Sequence, residues 1–448
     1  MFKRHHIAII LFVIIMTGGL AACKKWVDVD APLQVNENTV FANEQGFRDV
    51  LNGVYLKMGD SSLYGRELTF GLLSIMGRSY DTSITPAIKN VYYQGARYNF
   101  QDADVKACFA RTWESMYQCI ANLNYLLANL DSRQNLLGNN YNAFKGEALA
   151  LRAFLYFDLA RMFAPSPAVD PNGVAVPYVT KVSPYEAPVL STSAVIDSCI
   201  AELITAQSLL NISDVTTTHL TNWGVRGLLA RIYLYKGDLV NARSYAIGLI
   251  NSKQFPLAVN NTDPMFQKEH LFSLYNSPST IFTLYKSVMS STPPLALTLA
   301  GQATLFTTGS GASSDLRRIF NDPTSGSTTG TLISPRKCWG NTANVLPMIK
   351  MAEMYYIAAE SATALLDSVT ATSLMDSVRV HRNLAKYSVE PLKRDSLTVE
   401  IGKEYQKEFL SEGQVFYFYK RKNLPFSTLP FTRVQPVAGA SYVFIKPE

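Results

Sequence analysis

Over several long stretches of the chain, apolar residues return every three or four positions, the spacing of a helix with one face turned inward. Phe47, Val50, Leu51, Val54 and Tyr55 mark a helix over 43–58. Phe109, Trp113, Met116, Tyr117, Ile120, Leu123 and Leu127 mark a longer one over 103–130. Ala148, Leu151, Leu155, Leu159 and Met162 mark a third over 141–163, which Ala164-Pro165-Ser166-Pro167 stops. Ser191-Thr192-Ser193 offers an N-cap for a helix reaching about Leu210. In 223–251 two helical runs meet at Gly237-Asp238, and Ala230, Tyr233 and Ala242 follow the small–large register of a tetratricopeptide hairpin. Similar runs lie at 150–163 and 350–362, and helices are predicted over 348–366, 371–385 and about 395–412. The same periodicity puts Trp113 and Trp223 in the core.

Between these stretches the pattern lapses. Residues 60–102 are rich in Gly, Ser, Thr, Tyr and Asn and read as long loops with short helices. Residues 165–190 are proline-rich and irregular. Residues 253–345 are dominated by Asn, Thr, Ser, Gly and Pro, with β-like runs at 271–275 (LFSLY) and 280–285 (TIFTLY). The tail, 413–448, reads as aromatic and extended, with its Tyr419-Lys420-Arg421-Lys422 run on a solvated turn. The predicted fold is mainly α: a tetratricopeptide-like helical-repeat solenoid, each pair covering its neighbour's apolar face, with a loop-rich irregular subdomain. Loops this long inside a folded chain usually carry function or move.

The first residues have a different layout. Lys3, Arg4, His5 and His6 precede an apolar run from Ile7 to Met16, and Leu20-Ala21-Ala22-Cys23 follows. The run is short for a span, which needs roughly 20 apolar residues. Small residues running into a cysteine fit a lipoprotein signal at 1–22, with lipid on Cys23 and a tether over 23–42. Acyl chains contribute roughly 0.8 kcal/mol per buried CH₂, enough for two or three of them to hold a folded domain at a membrane.

Composition narrows the function classes. Charged residues make up 17% of the 448 and aromatics 11%, with a formal net charge of +6 that loses Lys3 and Arg4 with the signal. So mild an excess gives no case for nucleic acid, and many Tyr and Phe with little charge suit contact with uncharged, hydroxyl-rich ligands. Cys108 and Cys119 share one predicted helix, where eleven residues at 1.5 Å each hold them roughly 16 Å apart. A disulfide needs Cα atoms within about 7 Å, so that pair is excluded, and with Cys199 and Cys338 they read as scattered buried thiols. No cysteine spacing suggests zinc. His219, His270 and His381 are widely separated, and no H-E-x-x-H, G-x-S-x-G or G-x-x-x-x-G-K-[ST] occurs. Nothing positive supports catalysis, a metal or a cofactor, although paired carboxylates assembled in space leave no trace in a sequence.

The order of the pieces resembles the SusD/RagB family, surface lipoproteins of Bacteroidetes nutrient-uptake systems. CKKWVDVDAP (23–32) is similar to the family's start, FRDVLNGVYLKM (47–58) to its first helix, and Trp113, Tyr117, Ile120, Asn122 and Asn124 to its second. GEALALRAFLYFDLARMFAPSP (146–167) is the most specific block, an Arg-Ala-aromatic helix running into a proline turn. MIKMAEMYYIAAESA (348–362), VRVHRN (378–383) and KEFLSEGQVFYFYKRKN (407–423) resemble the C-terminal blocks, the last departing from the family in having no Trp after its basic residue. The resemblance implies a SusD-like domain over 43–448, lipid-anchored in the outer membrane and facing the cell surface. It implies no enzymatic activity; such a protein captures oligosaccharides and hands them to a SusC-like TonB-dependent transporter. Peptide capture, a surface glycan hydrolase and a repeat scaffold with protein partners alone remain open alternatives.

A glycan site needs flat rings to stack on sugar C–H faces and planar polar groups to bridge hydroxyls. Two loop-rich stretches supply them, at about 60–102 and 253–345. The first offers Arg78, Tyr80, Asp81, Tyr92, Tyr93, Tyr98 and Asn99; the second offers Tyr275, Trp339 and Asn341. Trp339, beside Gly340, is the foremost single candidate. For any one of these tyrosines packing is the commoner role, since Tyr is commonly half-buried, and Trp339 could equally anchor its loop to the helices.

Overall fold

The computed structural model describes residues 37–447 apart from 82–85, 184, 260–261, 290–294, 307–313, 320, 324–331, 336, 339–343, 388–389 and 431–433. The signal, Cys23, most of the tether, Trp339 and Asn341 therefore lie outside the described residues. The chain divides into a unit ending at Phe47 and one beginning at Arg48. In the first, a helical turn at Glu37–Val40 precedes Phe41, whose ring centroid is 4.7 Å from that of Phe47.

The periodic stretches are helices close to their predicted bounds: α1 (Glu44–Met58), α3 (Ala103–Leu130), α4 (Tyr141–Phe163), α5 (Thr192–Leu209), α6 (Asn222–Lys236) and α7 (Leu239–Ser252), with α2 (Pro86–Ala96) between α1 and α3. Their ends have local causes. Asp102 caps α3 by accepting from the Asp104 and Val105 amides, and the Ser191 hydroxyl caps α5 through Ala194. Gly237 ends α6 at φ 90°, where any side chain is disfavoured, and Asp238 starts α7 at once. After a long excursion the helices resume as α10 (Met351–Ala364), α11 (Ser368–His381) and α12 (Arg394–Glu408).

Neighbours in this series pack on one another: α3 on α4, α4 on α5, α5 on α6, α6 on α7, then α7 directly on α10, α10 on α11 and on α12. Residues 253–350 thus leave and re-enter the stack at one place. Their neck is an antiparallel pair of strands, His270–Tyr275 with Val345–Lys350. A hairpin of Val174–Pro177 with Val189–Ser191 lies in the proline-rich stretch.

Charged pairs stitch the helix faces. Arg152 shows why the Arg-Ala-aromatic block has its arginine: both ends of the guanidinium hold Glu202 of α5 (2.7 and 3.1 Å), and it also donates to Asn124 of α3 at 2.7 Å. Arg231 of α6 holds Glu353 of α10 in the same two-pronged way at 2.6 Å. Trp223 is buried as expected, while Trp113 is half-buried, edge-on to Phe163 at 4.9 Å. Cys108, Cys119, Cys199 and Cys338 are buried free thiols.

Two readings fail. The run at 280–285 is not a strand but part of helix α8 (Pro278–Met289), opened by a proline and burying Ile281, Tyr285, Val288 and Met289 on one face. The tail is not wholly extended, because Gln414–Lys422 is helix α13. Its YKRK run is no solvated turn: Tyr419 and Lys420 are buried, and Arg421 holds Glu360 of α10 through two bonds of 2.7 Å.

Candidate functional site

The two loop-rich stretches meet each other along a continuous seam. Asp81 accepts from the Thr298 amide and, at 2.6 Å, from its hydroxyl, while the Asp81 amide donates to the Ala296 carbonyl at 3.2 Å. Thr298 in turn caps the helix Leu299–Phe306, α9, whose Gly301 leaves no room for a side chain beside the Asp81 carboxylate. The Phe70 ring is edge-on to Tyr285 of α8 at 5.1 Å. Asn276, just after the first neck strand, donates to the Gly59 carbonyl at 3.3 Å. Loops that read as separate in the sequence form one layer.

A buried cluster of charge fixes the excursion to the C-terminal helices. Arg382 at the end of α11 is fully enclosed and bridges Glu269 (2.8 Å) and Glu408 (2.9 Å). Arg317 binds Asp315 at 2.8 Å and Glu404 at 2.7 Å. Lys350 reaches Glu412 at 2.9 Å and Glu408 at 3.3 Å, Lys337 also pairs with Glu412, and Lys407 holds Glu404 at 3.0 Å. Burial alone would raise the Glu404 carboxyl, but Arg317 and Lys407 outweigh it and hold its pKa down to about 2. Glu408, facing Arg382 and Lys350, is held well below the usual carboxylate range despite its burial. Isolated charges could not occupy such a place; this set is tolerated because every member has partners of opposite sign.

Within this frame the residues singled out from the sequence separate into two groups. Tyr80 is buried, its hydroxyl bonded to the Phe70 carbonyl (2.8 Å) and to Ser411 (2.9 Å). Tyr92 is buried and bonded to Glu67 at 3.2 Å. Tyr98 is enclosed by Phe100, Phe426 and Tyr442, and its hydroxyl reaches the Met76 carbonyl at 2.5 Å. Arg78 lies over the Tyr98 ring at 5.6 Å and is also buried, as is Asp81. In this conformation all five are buried, and the hydroxyls of the three tyrosines and the Asp81 carboxylate have protein partners. Tyr93, Asn99 and Tyr275 reach the surface: Tyr93 is half-buried under Arg97 at 5.5 Å, Asn99 donates to Gln94 at 3.0 Å, and Tyr275 is 53% exposed at the end of its strand. A cleft of about 820 Å³ elsewhere, lined by Tyr355, Asp376 and His381 among others, contains none of the residues singled out from the sequence.

Residues 25–234 match a family described as "Starch-binding associating with outer membrane", SusD-like, and residues 228–428 match the SusD family, SusD/RagB. The chain belongs to the SusD/RagB family. Its match to SusD-like protein P2 of Formosa agariphila is 25% identical over 271 residues, which is 59% of this chain and about half (49%) of that protein's length. Among solved structures, a SusD-like carbohydrate binding protein from Bacteroides vulgatus superposes with a TM-score of 0.71 at 20% identity, over 85% of this chain and 83% of its own. A SusD superfamily protein from Bacteroides thetaiotaomicron gives 0.70 at 20% over 85% and 88%, and a laminarin binding SusD-like protein 0.65 at 19% over 85% and 92%. These likenesses are in fold.

For a SusD-family chain, the sequence signals that went unread lie in the charges. Asp315, Arg317 and Lys337 stand with Arg318, Asp322 and Arg336 as the few charges of residues 291–349, and the first three join the ion-pair cluster. Among the described residues, no group of His, Cys, Asp and Glu is arranged to hold a metal ion, and no helix is long and apolar enough to cross a membrane.

Proposed function

We propose that this protein captures oligosaccharides at the cell surface, anchored in the outer membrane through lipid on Cys23, and passes them to a SusC-like TonB-dependent transporter without cutting them. The observation that carries the reading is the match to SusD-family sequences from residue 25 to residue 428, joined to a loop layer that leaves Tyr275 open at its seam. The names of the starch-binding family and of the laminarin binding neighbour favour a glucan over a peptide. Mechanically, the seam between the two loop stretches holds the open rings in place while the helices beneath stay fixed. Ring stacking on sugar faces is individually weak, which suits release to a transporter.

The test is a binding screen of the purified chain against glucan oligosaccharides and a peptide panel. Glucan binding is expected, with no turnover over hours. Tyr275→Ala should weaken it about 5- to 10-fold, the loss of one stacking contact of about 1–1.4 kcal/mol, and Trp339→Ala should weaken it at least as much. Peptide binding alone would move the reading to peptide capture, and released sugar would make the protein a hydrolase. Co-purification of a TonB-dependent transporter from native membranes tests the delivery step.

A further inference from the structure

Where the tail crosses the end of α4, a cavity of about 370 Å³ opens between the proline turn and the residues after α13. Pro165, Ser166, Lys420, Pro425, Phe426 and Tyr442 contribute to its lining. Lys420 is 2% exposed, and its ammonium makes one hydrogen bond among the described residues, to the Met162 carbonyl at 3.1 Å. No carboxylate pairs with it there: Arg421 and Lys422 beside it both take Glu360, and Arg161 across from it takes Asp158. Met162 is in the last turn of α4, so the ammonium caps a helix C-terminus, but such an end carries only roughly half a unit of negative charge. The Met162 carbonyl also accepts the Phe444 amide at 3.0 Å.

Three further facts go unexplained by capping alone. Ser166, also 2% exposed, has a hydroxyl with no partner among the described residues. Behind the Tyr442 wall, Arg78 is buried with its Nε and one Nη unbonded, 5.6 Å over Tyr98, which itself stands edge-on to Tyr442 at 5.8 Å. Burial foremost, then the Arg161 charge, pushes the Lys420 amine well below the ordinary lysine value. An amine buried without a counter-charge sheds its proton readily, and an anion in the cavity beside it would hold it as the ammonium.

We propose that this cavity binds a small ligand through a carboxylate, held by the Lys420 ammonium and the Ser166 hydroxyl, with the body of the ligand against Phe426 and Tyr442. A neutral sugar could accept hydrogen bonds there but would do nothing to stabilise the ammonium form. A phosphate dianion would ask for more donors than one ammonium and one hydroxyl. The volume is at the small end of ligand sites, suited to one sugar ring or a dipeptide, so the carboxylate belongs to a sugar acid or a peptide terminus. The site is separate from Tyr275 and does not depend on glucan capture.

The experiment is a calorimetric titration of the purified chain with sodium glucuronate, with the methyl ester of glucuronate and with glycylglycine. At least one of the two acids should bind, and the uncharged ester at least tenfold more weakly than glucuronate if the sugar acid is the ligand. Lys420→Met, which keeps the apolar stem, should lose at least tenfold, and Ser166→Ala several-fold, while Tyr275→Ala changes nothing. Binding of glucuronate alone identifies a sugar acid, of glycylglycine alone a peptide terminus; both outcomes uphold the carboxylate site. No binding of either acid at millimolar concentration, an ester as tight as its acid, or undiminished binding by Lys420→Met overturns it. If Lys420→Met does not fold, Ser166→Ala and the two acids on the unaltered chain decide the matter.

Discussion

Arg382→Ala should destabilise the protein by about 3–5 kcal/mol, the cost of leaving buried carboxylates without their cation. Arg382 is fully enclosed; Glu269 loses its cation with it, while Glu408 keeps Lys350 and Arg317 but loses its nearest partner. The loss is electrostatic rather than a matter of volume, which gives the prediction a second arm. Arg382→Met combined with Glu269→Gln and Glu408→Gln should recover a large part of the stability, because neutral residues of similar size carry no uncompensated charge. Urea unfolding of the three proteins measures both. A midpoint for Arg382→Ala that corresponds to less than about 1 kcal/mol would mean that water reaches the cluster.

Acid should unfold the protein in a defined window. Glu404, buried but outweighed by Arg317 and Lys407, and Glu360, buried but outweighed by Arg421 and Lys422, are both held down to about 2. A carboxyl depressed in the folded state contributes stability above its unfolded value near 4.5 and loses it as pH falls toward 2. A depression of that size corresponds to about 3 kcal/mol for each group at neutral pH. Urea unfolding at intervals from pH 6 to pH 3 should therefore show stability falling steeply below about pH 5. Glu360→Gln should be less stable at pH 6 and should fall less steeply. A flat profile between pH 5 and pH 3 would contradict the assignment of these pairs as buried and charged.

The helical part of the fold was legible because burial on one side leaves a period in the sequence. Phe109, Met116, Ile120 and Leu123 mark the buried face of α3, whereas α4 is buried all round from Gly146 to Phe163 and is read from its apolar length and the Pro165 that announces its end. The failures at α8 and α13 have different causes. Thr280–Tyr285 is too short to show the single buried face of α8, made by Ile281, Tyr285, Val288 and Met289, whereas Val415–Tyr419 in α13 is buried throughout and has no period to read. In α8, Pro278 at the first helical position was the available correction.

The candidate site was less legible, for a chemical reason. The tyrosine ring and hydroxyl that suit a sugar also suit an interior, where the ring packs and the hydroxyl finds a carbonyl. Tyr80 and Tyr98 took the second course while Tyr275 stays exposed, and composition is the same in both. Asp81 was singled out as a polar group in a loop; in the structure it clasps the two loop stretches together. Charge in YKRK misled in the opposite direction, because partners such as Glu360 lie far away in sequence and come close only through the stacking of helices.

The place where residues 253–350 leave the stack is also where they return, α7 lying directly against α10 and the two-stranded neck resting on α6 and α10. Such an excursion is a cassette: its inner course can be exchanged without breaking the order of the helices that carry it. The exchange has one toll. Asp315, Arg317 and Lys337 travel with the cassette, whereas Glu404, Glu408 and Glu412 stay behind, so a transplanted sequence lacking matching cations would strand acid groups at the seat. The inner course of the cassette is therefore free to vary, while its base must keep the charges that seat it.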